Sequence, residues 1–451
     1  MSASELAERV LELARGRGEL EVVIQRERSG LARFAASEVH QPTLVDDTVV
    51  QLTILREGRT GSASTNGTGD EHLARLVERA ATAAASGTPE QGLGLTPPAP
   101  LPEVAGFDEA TAALSAGDLA ELAGAAIGGT GDLDAYGFVT SGDCELVVRS
   151  SAGVEAAQRF TDVTVLSIAA GAGVSGYATR SSWASGDVDP AAVGRESAEK
   201  AQRTSDAVEL EPASYRAVLE PYALGELLHW FAYSAFNGLA FAEERGYFAG
   251  RLGERVFDPK VSIADDALDP RGLPKAFDFE GTPKARVSLV EEGVARGVAW
   301  DRVTAARAGV RSTGHALPLS GRSFGPLPLA LSVAPGEAAS IDELVELVGD
   351  GVYVTRLHYL GVVDPREGIL TGMTRDGTFR IRDGKVAEPL VNLRFTVSVP
   401  ELLSEVPGLT REVALVNQSD FYDERYPFGA LVPALATARF AVTGTGSGPG
   451  L

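Results

Sequence analysis

A chain of 451 residues is longer than one ordinary domain and predicts two or three units, each with its own core. With 44% hydrophobic and 23% charged residues it has the composition of a soluble globular protein, and no apolar run is long enough to span a bilayer, which excludes the membrane as a partner. A formal charge of -22 excludes nucleic acid, which is bound by clustered Lys and Arg, and a single cysteine, Cys144, excludes an intrachain disulfide and a thiolate-rich zinc site.

The N-terminal MSASELAERVLELARGRG sets Leu6, Val10, Leu13 and Ala14 at helical spacing and lacks the apolar core of a secretion signal, so it predicts a short surface helix of a cytoplasmic protein. LEVVIQRE, LARFAAS and TVVQLTILRE then read as strands, and a helix over 70–86 places Leu73, Leu76, Val77 and Ala80 on one face. Residues 1–91 are thus predicted to form a small α+β unit. The proline-rich stretch at 92–106 follows as a linker. A second α+β unit over 107–212 opens with a helix in TAALSAGDLAELAGAAI, passes through strands in CELVVRSS and TDVTVLSIAA, and closes with the helical DPAAVGRESAEKAQRTSD. Residues 213–451 are predicted as a large β-rich domain with one embedded helix, RDGK at 382–385 as a hairpin turn, and GTGSGPGL as a flexible tail. The fold class is α+β.

Three motifs fail on context. GAGVSG at 171–176 has the glycine pattern of a dinucleotide loop, but YATRSSWASGD after it is no helix, so a glycine-rich turn is expected. GRSFG at 321–325 spaces glycines around Ser323 like a nucleophile elbow, yet PLPLALSV follows and its prolines forbid the required helix. The pairs Glu243–Glu244 and Glu291–Glu292 read as solvated surface charge.

The most informative segment is GELLHWFAYSAFNGLAF at 225–241. Leu224, Leu227, Leu228, Phe231, Ala232, Ala235 and Phe236 form one apolar stripe of a helix, and His229, one of five histidines, sits on its flank. Glu226 one turn before it and Tyr233 one turn after are its expected hydrogen-bond partners.

LLHWFAYS at 227–234 and then GRLGERV at 250–256, which align without a gap, resemble the TldD/PmbA metallopeptidases, whose active members carry His-Glu-x-x-x-His on this helix and a Gly-Arg-hydrophobic-Gly segment at a fixed distance beyond it. On that alignment His229 takes the first ligand position, Trp230 stands where the family has glutamate, and Ser234 stands where it has the second histidine. The family's cysteine near the C-terminus has no counterpart. RSTGHALPLSGRSFG at 311–325 is similar to the Ser-Thr-Gly-His segment of the PmbA, or TldE, type, and 362–395 is similar to the family's turn, glycine-rich crossover and strand. A catalytic zinc needs three protein ligands, a water and a nearby base, whereas an indole nitrogen only donates and a serine is a poor ligand. Positions 229, 230 and 234 therefore read as a degenerate metal site, with no catalytic residue and no metal in this chain.

The resemblance implies a non-catalytic subunit that pairs with a TldD-like chain; the partner carries the zinc, and the two enclose a cavity where extended or leader peptides are cut. His315 is the expected contact to peptide or partner. Two alternatives differ in kind: an autonomous metallopeptidase using His229, His315, His358 and a carboxylate, or a self-assembling scaffold that captures peptides without cutting them.

Overall fold

Alternation along the first strand decides how the two halves of the chain meet. In Glu21-Val22-Val23-Ile24-Gln25, Val22 and Ile24 enter a core with helices on one face of a sheet, while Val23 joins Phe277 and Phe279 on the other. Glu21 and Gln25 share the second face and are buried, so their partners must be protein. The structure, a computed structural model, describes residues 1–90, 92–419 and 424–446.

The N-terminal half runs α1 (Ala3–Leu13), β1 (Glu19–Ala35), β2 (Glu38–Arg56), β3 (Arg59–Thr65), α2 (Asp70–Ser86), the single turn α3 (Glu109–Ala112), α4 (Ala116–Gly129), β4 (Asp134–Ser150), β5 (Glu155–Gly171), β6 (Val174–Ser182) and α5 (Pro190–Gln202). Ser2 and Ser115 begin α1 and α4 with capping boxes, and Asp189 caps α5. The strands form one six-stranded sheet in the order β3-β2-β1-β4-β5-β6. The two predicted N-terminal units are thus halves of a single sheet, each a helix, three antiparallel strands and a helix, joined where β1 pairs with β4. The proline-rich stretch is not a free linker: Leu101 and Val104 pack on the Phe277 cluster, and the Gly106 carbonyl accepts from the Thr161 amide at 2.9 Å. GAGVSG is the β5–β6 hairpin, turned by Ala172 and Gly173 at φ of 43° and 85°.

The chain passes to a second sheet between Gln202 and Ser214. Its elements are β7 (Ser214–Leu219), α6 (Pro221–Ala235), α7 (Gly238–Ala242), β8 (Ile263–Asp265), β9 (Val287–Glu291), β10 (Val294–Ala295), α8 (Arg302–Ala308), β11 (Leu331–Val333), α9 (Ile341–Val348), β12 (Gly351–Asp364), β13 (Ile369–Arg382), β14 (Lys385–Pro389), β15 (Leu393–Ser398), α10 (Val399–Leu402), β16 (Gly408–Asn417) and β17 (Gly429–Thr445). β7, β12, β13, β15 and β17 pair in that order, and β17 also pairs with β7, so these five strands close on themselves. Asp383 and Gly384 turn β13 into β14 as RDGK predicts. Of the tail expected to be flexible, Gly444 and Thr445 extend β17 and pair with β15, while residues 447–451 lie outside the described residues.

The halves meet through buried charge. Arg425, ahead of β17, enters the six-stranded sheet and pairs with both oxygens of Asp162 on β5 at 2.8 and 2.6 Å. It also donates to Thr140 at 3.0 Å, and its amide donates to Glu27 at 3.1 Å. β4 has glycine at 142 because a Cβ there would overlap the Arg425 side chain. Arg302 at the start of α8 reaches Glu21 at 2.5 Å, and Lys200 on α5 pairs with Glu220, the residue before α6, at 2.7 Å. Removing one member of such a pair strands the other in low dielectric. Arg425→Ala is expected to cost about 3–5 kcal/mol in chemical denaturation, a loss of that size being typical when a buried pair is broken; a change under about 1 kcal/mol would show that the seam tolerates the bare Asp162 carboxylate.

Candidate functional site

Helix α6 starts at Pro221, where a missing amide costs nothing, and is followed at once by α7, whose N-cap Asn237 accepts from the amides of Leu239 and Ala240. All seven residues of the apolar stripe are buried against the strands. Withdrawing a side chain such as Leu227 or Phe231 from water is worth about 1.5–3 kcal/mol, which holds the helix in place. GRLGERV supports the same face: Arg251 lies over the Tyr247 ring at 4.5 Å, and Tyr247 meets Phe231 at 5.8 Å between ring centroids.

The opposite face carries Glu226, His229, Trp230 and Tyr233, at i, i+3, i+4 and i+7, and is half-buried. His229 makes no hydrogen bond among the described residues; its ring meets Tyr233 at 5.4 Å, Phe428 at 5.8 Å and Trp230 at 6.5 Å. The expected bonds to Glu226 and Tyr233 are therefore absent: the Glu226 carboxylate accepts from the Trp230 indole N–H at 3.1 Å instead, and Tyr233 presents its ring. Burial among these rings pushes the His229 pKa down to about 4, so the imidazole is neutral at physiological pH. Burial also raises the Glu226 pKa, against the indole bond and Arg356. Ser234 faces the core and donates to the Phe231 carbonyl at 3.2 Å.

These residues do not fit a zinc ion. One imidazole is present, the indole N–H is spent on Glu226, and the serine hydroxyl is bonded within its own helix. Among the described residues no group of three His, Cys, Asp or Glu side chains is placed to hold a metal.

His315, the expected contact to peptide or partner, lies in the interior of this chain. It is 1% exposed, and both ring nitrogens are taken, Nε2 donating to Asp265 at 3.0 Å and Nδ1 accepting from the Thr313 hydroxyl at 2.9 Å. Burial, reinforced by Lys284, lowers its pKa and keeps the ring neutral. His358 stands on β12 with its ring 4.1 Å from that of Tyr359. The structure therefore does not gather His229, His315 and His358 into one site. Ser323 is exposed in a single 3-10 turn, while Glu243 and Glu291 pair with Arg245 and Arg296 at the surface. Phe324 and Phe428, which complete the ring cluster, come from segments remote in sequence, and no sequence periodicity connects them to α6.

Residues 212–444 match the model of the PmbA/TldA metallopeptidase C-terminal domain, and residues 20–84 match that of PmbA/TldA metallopeptidase domain 1. The chain belongs to the PmbA/TldA metallopeptidase family. Within this family it is similar to a metalloprotease of Methanothermobacter thermautotrophicus, with 30% identity over 228 residues, covering 49% of this chain and 48% of the relative. A metalloprotease TldD homolog of Haemophilus influenzae is 26% identical over 252 residues, 53% of this chain and 51% of the relative. The matched region thus spans about half the length of these curated relatives. TldE from Thermococcus kodakarensis has the same fold, with a TM-score of 0.86 at 20% identity over 97% of this chain and 100% of that one.

The neutral His229 has a measurable consequence. In the unfolded chain a histidine takes up its proton near pH 6.5, whereas the folded chain resists until about pH 4. The stabilisation is complete above pH 6.5 and falls as pH drops from 6.5 towards 4. An NMR titration of the His229 ring should give a midpoint near 4; a midpoint at or above 6.5 would mean that the ring is solvated or charge-paired.

Proposed function

We propose that this chain is a non-catalytic, TldE (PmbA)-type subunit of a heteromeric zinc metallopeptidase that cuts unfolded or leader peptides in an enclosed cavity. The observation that carries the reading is the α6 face, where the family's ligand and base positions hold a lone neutral imidazole, an indole and a helix-bonded serine. Hydrolysis of a peptide bond needs a Lewis acid to polarise the carbonyl and lower the pKa of water, and a base to take its proton. Neither can be built from these three side chains. A TldD-like partner with an intact His-Glu-x-x-x-His helix would supply the zinc, the water and the base, and this chain would supply walls and contacts for the substrate. An extended polypeptide suits such a role because it can be held largely through its backbone. No helix among the described residues is long and apolar enough to cross a membrane, and we place the complex in the cytoplasm.

The test is reconstitution. Purified alone, the chain should cleave no unfolded polypeptide; co-expressed with a TldD-like chain from the same host, it should co-purify and give zinc-dependent cleavage. Replacing the glutamate of the partner's motif with glutamine should remove that cleavage by at least about a hundredfold, the scale of general-base catalysis. Cleavage by this chain alone, or cleavage by the complex that survives the partner's substitution, would overturn the proposal.

A further inference from the structure

The α6 face does more than lack ligands, because five rings converge there. Trp230 meets Tyr233 at 6.2 Å, Tyr233 meets Phe324 edge-on at 5.8 Å, and His229 joins both to Phe428. Phe324 is 55% exposed, and Trp230, Tyr233 and Phe428 are half-buried. Elsewhere in this chain ring faces are covered by cations, with Arg356 over Tyr177 at 3.9 Å and Lys275 over Phe160 at 4.4 Å. Among the described residues no lysine or arginine lies over Trp230, Tyr233, Phe324 or Phe428.

The Glu226 carboxylate stands at the end of this ledge. Among the described residues its one side-chain hydrogen bond comes from Trp230. Arg356, the cation that acts on it, is already paired with Asp376 at 2.5 Å and seated over Tyr177. Arg322, beside Phe324 in sequence, is turned towards Glu21 at 3.5 Å. Open aromatic faces and a carboxylate with no ion pair of its own among the described residues, in a chain of net charge -22, are complementary to one kind of side chain.

We propose that the Glu226–Trp230–Tyr233–Phe324 ledge is a subsite for a lysine or arginine side chain of an extended polypeptide. The alkyl stem lies along the rings, and the charged end is held between the ring faces and the Glu226 carboxylate. Phe428 and the neutral His229 set the back wall and bring no competing positive charge. The idea rests on the peptide-handling role above, but it concerns binding by this chain alone and needs neither zinc nor a partner.

The test uses the full chain and a short unstructured Gly/Ser peptide with one central lysine, beside the same peptide with norleucine in its place, followed by tryptophan fluorescence and by calorimetry. The lysine peptide should bind about tenfold tighter than the norleucine peptide and weaken as salt is raised, in line with roughly 1.4 kcal/mol from a partly desolvated cation on aromatic rings. Glu226→Gln should lose most of that preference, Phe324→Ala should weaken binding several-fold, and Trp230→Phe should remove the fluorescence change, each with an unaltered thermal melt. Equal affinity for the two peptides, or a preference that survives both Glu226→Gln and Phe324→Ala, would overturn the subsite. The two proposals fail separately: an intact reconstituted peptidase without lysine preference sinks only the subsite, and a chain that binds lysine peptides but cleaves unaided sinks only the non-catalytic reading.

Discussion

The pairing of Arg425 with Asp162 inside the six-stranded sheet is the contact on which the arrangement of this molecule depends. A guanidinium and a carboxylate, both removed from water, are tolerable only if each satisfies the other in good geometry, and the bidentate bond with Thr140 and Glu27 around it does that. Because Arg425 belongs to the segment before β17, the bond locks the closing strand of the second sheet against the first. It also sets Phe428, three residues on, beside the α6 helix. The pairs Arg302–Glu21 and Lys200–Glu220 repeat the device at two other points of the seam. Directional bonds of this kind fix one relative placement of the halves, where an apolar interface alone would allow sliding.

That placement leaves one face of α6 unpacked by the barrel strands, and the chemistry of the face follows from side-chain volume. Trp230 puts an indole where the resemblance has the family's glutamate, and Tyr233 sets a second ring beside it. The same rings desolvate His229 and keep it neutral. An imidazole in that state has the lone pair a metal would want but stands alone, and three bonds to protein are what hold zinc against solvent. The proposed subunit role and the proposed cationic subsite draw on the same feature, bulk and π-surface at positions where the resemblance has a base and ligands.

The helix itself was plain in the sequence, because a stripe repeating at 3.6 residues is a local property that burial preserves; so were α2, the RDGK hairpin and the turn in GAGVSG. The merger of the two N-terminal units was hidden. Glu21, Gln25 and Glu27 alternate with apolar residues as on a solvent-facing strand, yet that face is buried because Arg302 and Arg425 arrive from 281 and 398 residues away. The proline-rich segment looked like a linker for a related reason, since its Leu101 and Val104 find their cover only in the second half of the chain. At the site, the Glu226–Trp230 bond follows from i, i+4 spacing, but Phe324 and Phe428 reach the helix through loops that no periodicity records. The burial of His315 is not legible either, because Asp265, which holds the ring inside, lies 50 residues before it.

The central claim is that the α6 face has too few donors to bind zinc, and a zinc titration of the purified chain against a competing chelator at neutral pH tests it most directly. The account predicts no saturable uptake by the native chain, and none lost on His229→Ala. Uptake of a full equivalent of zinc that disappears with His229→Ala would contradict it.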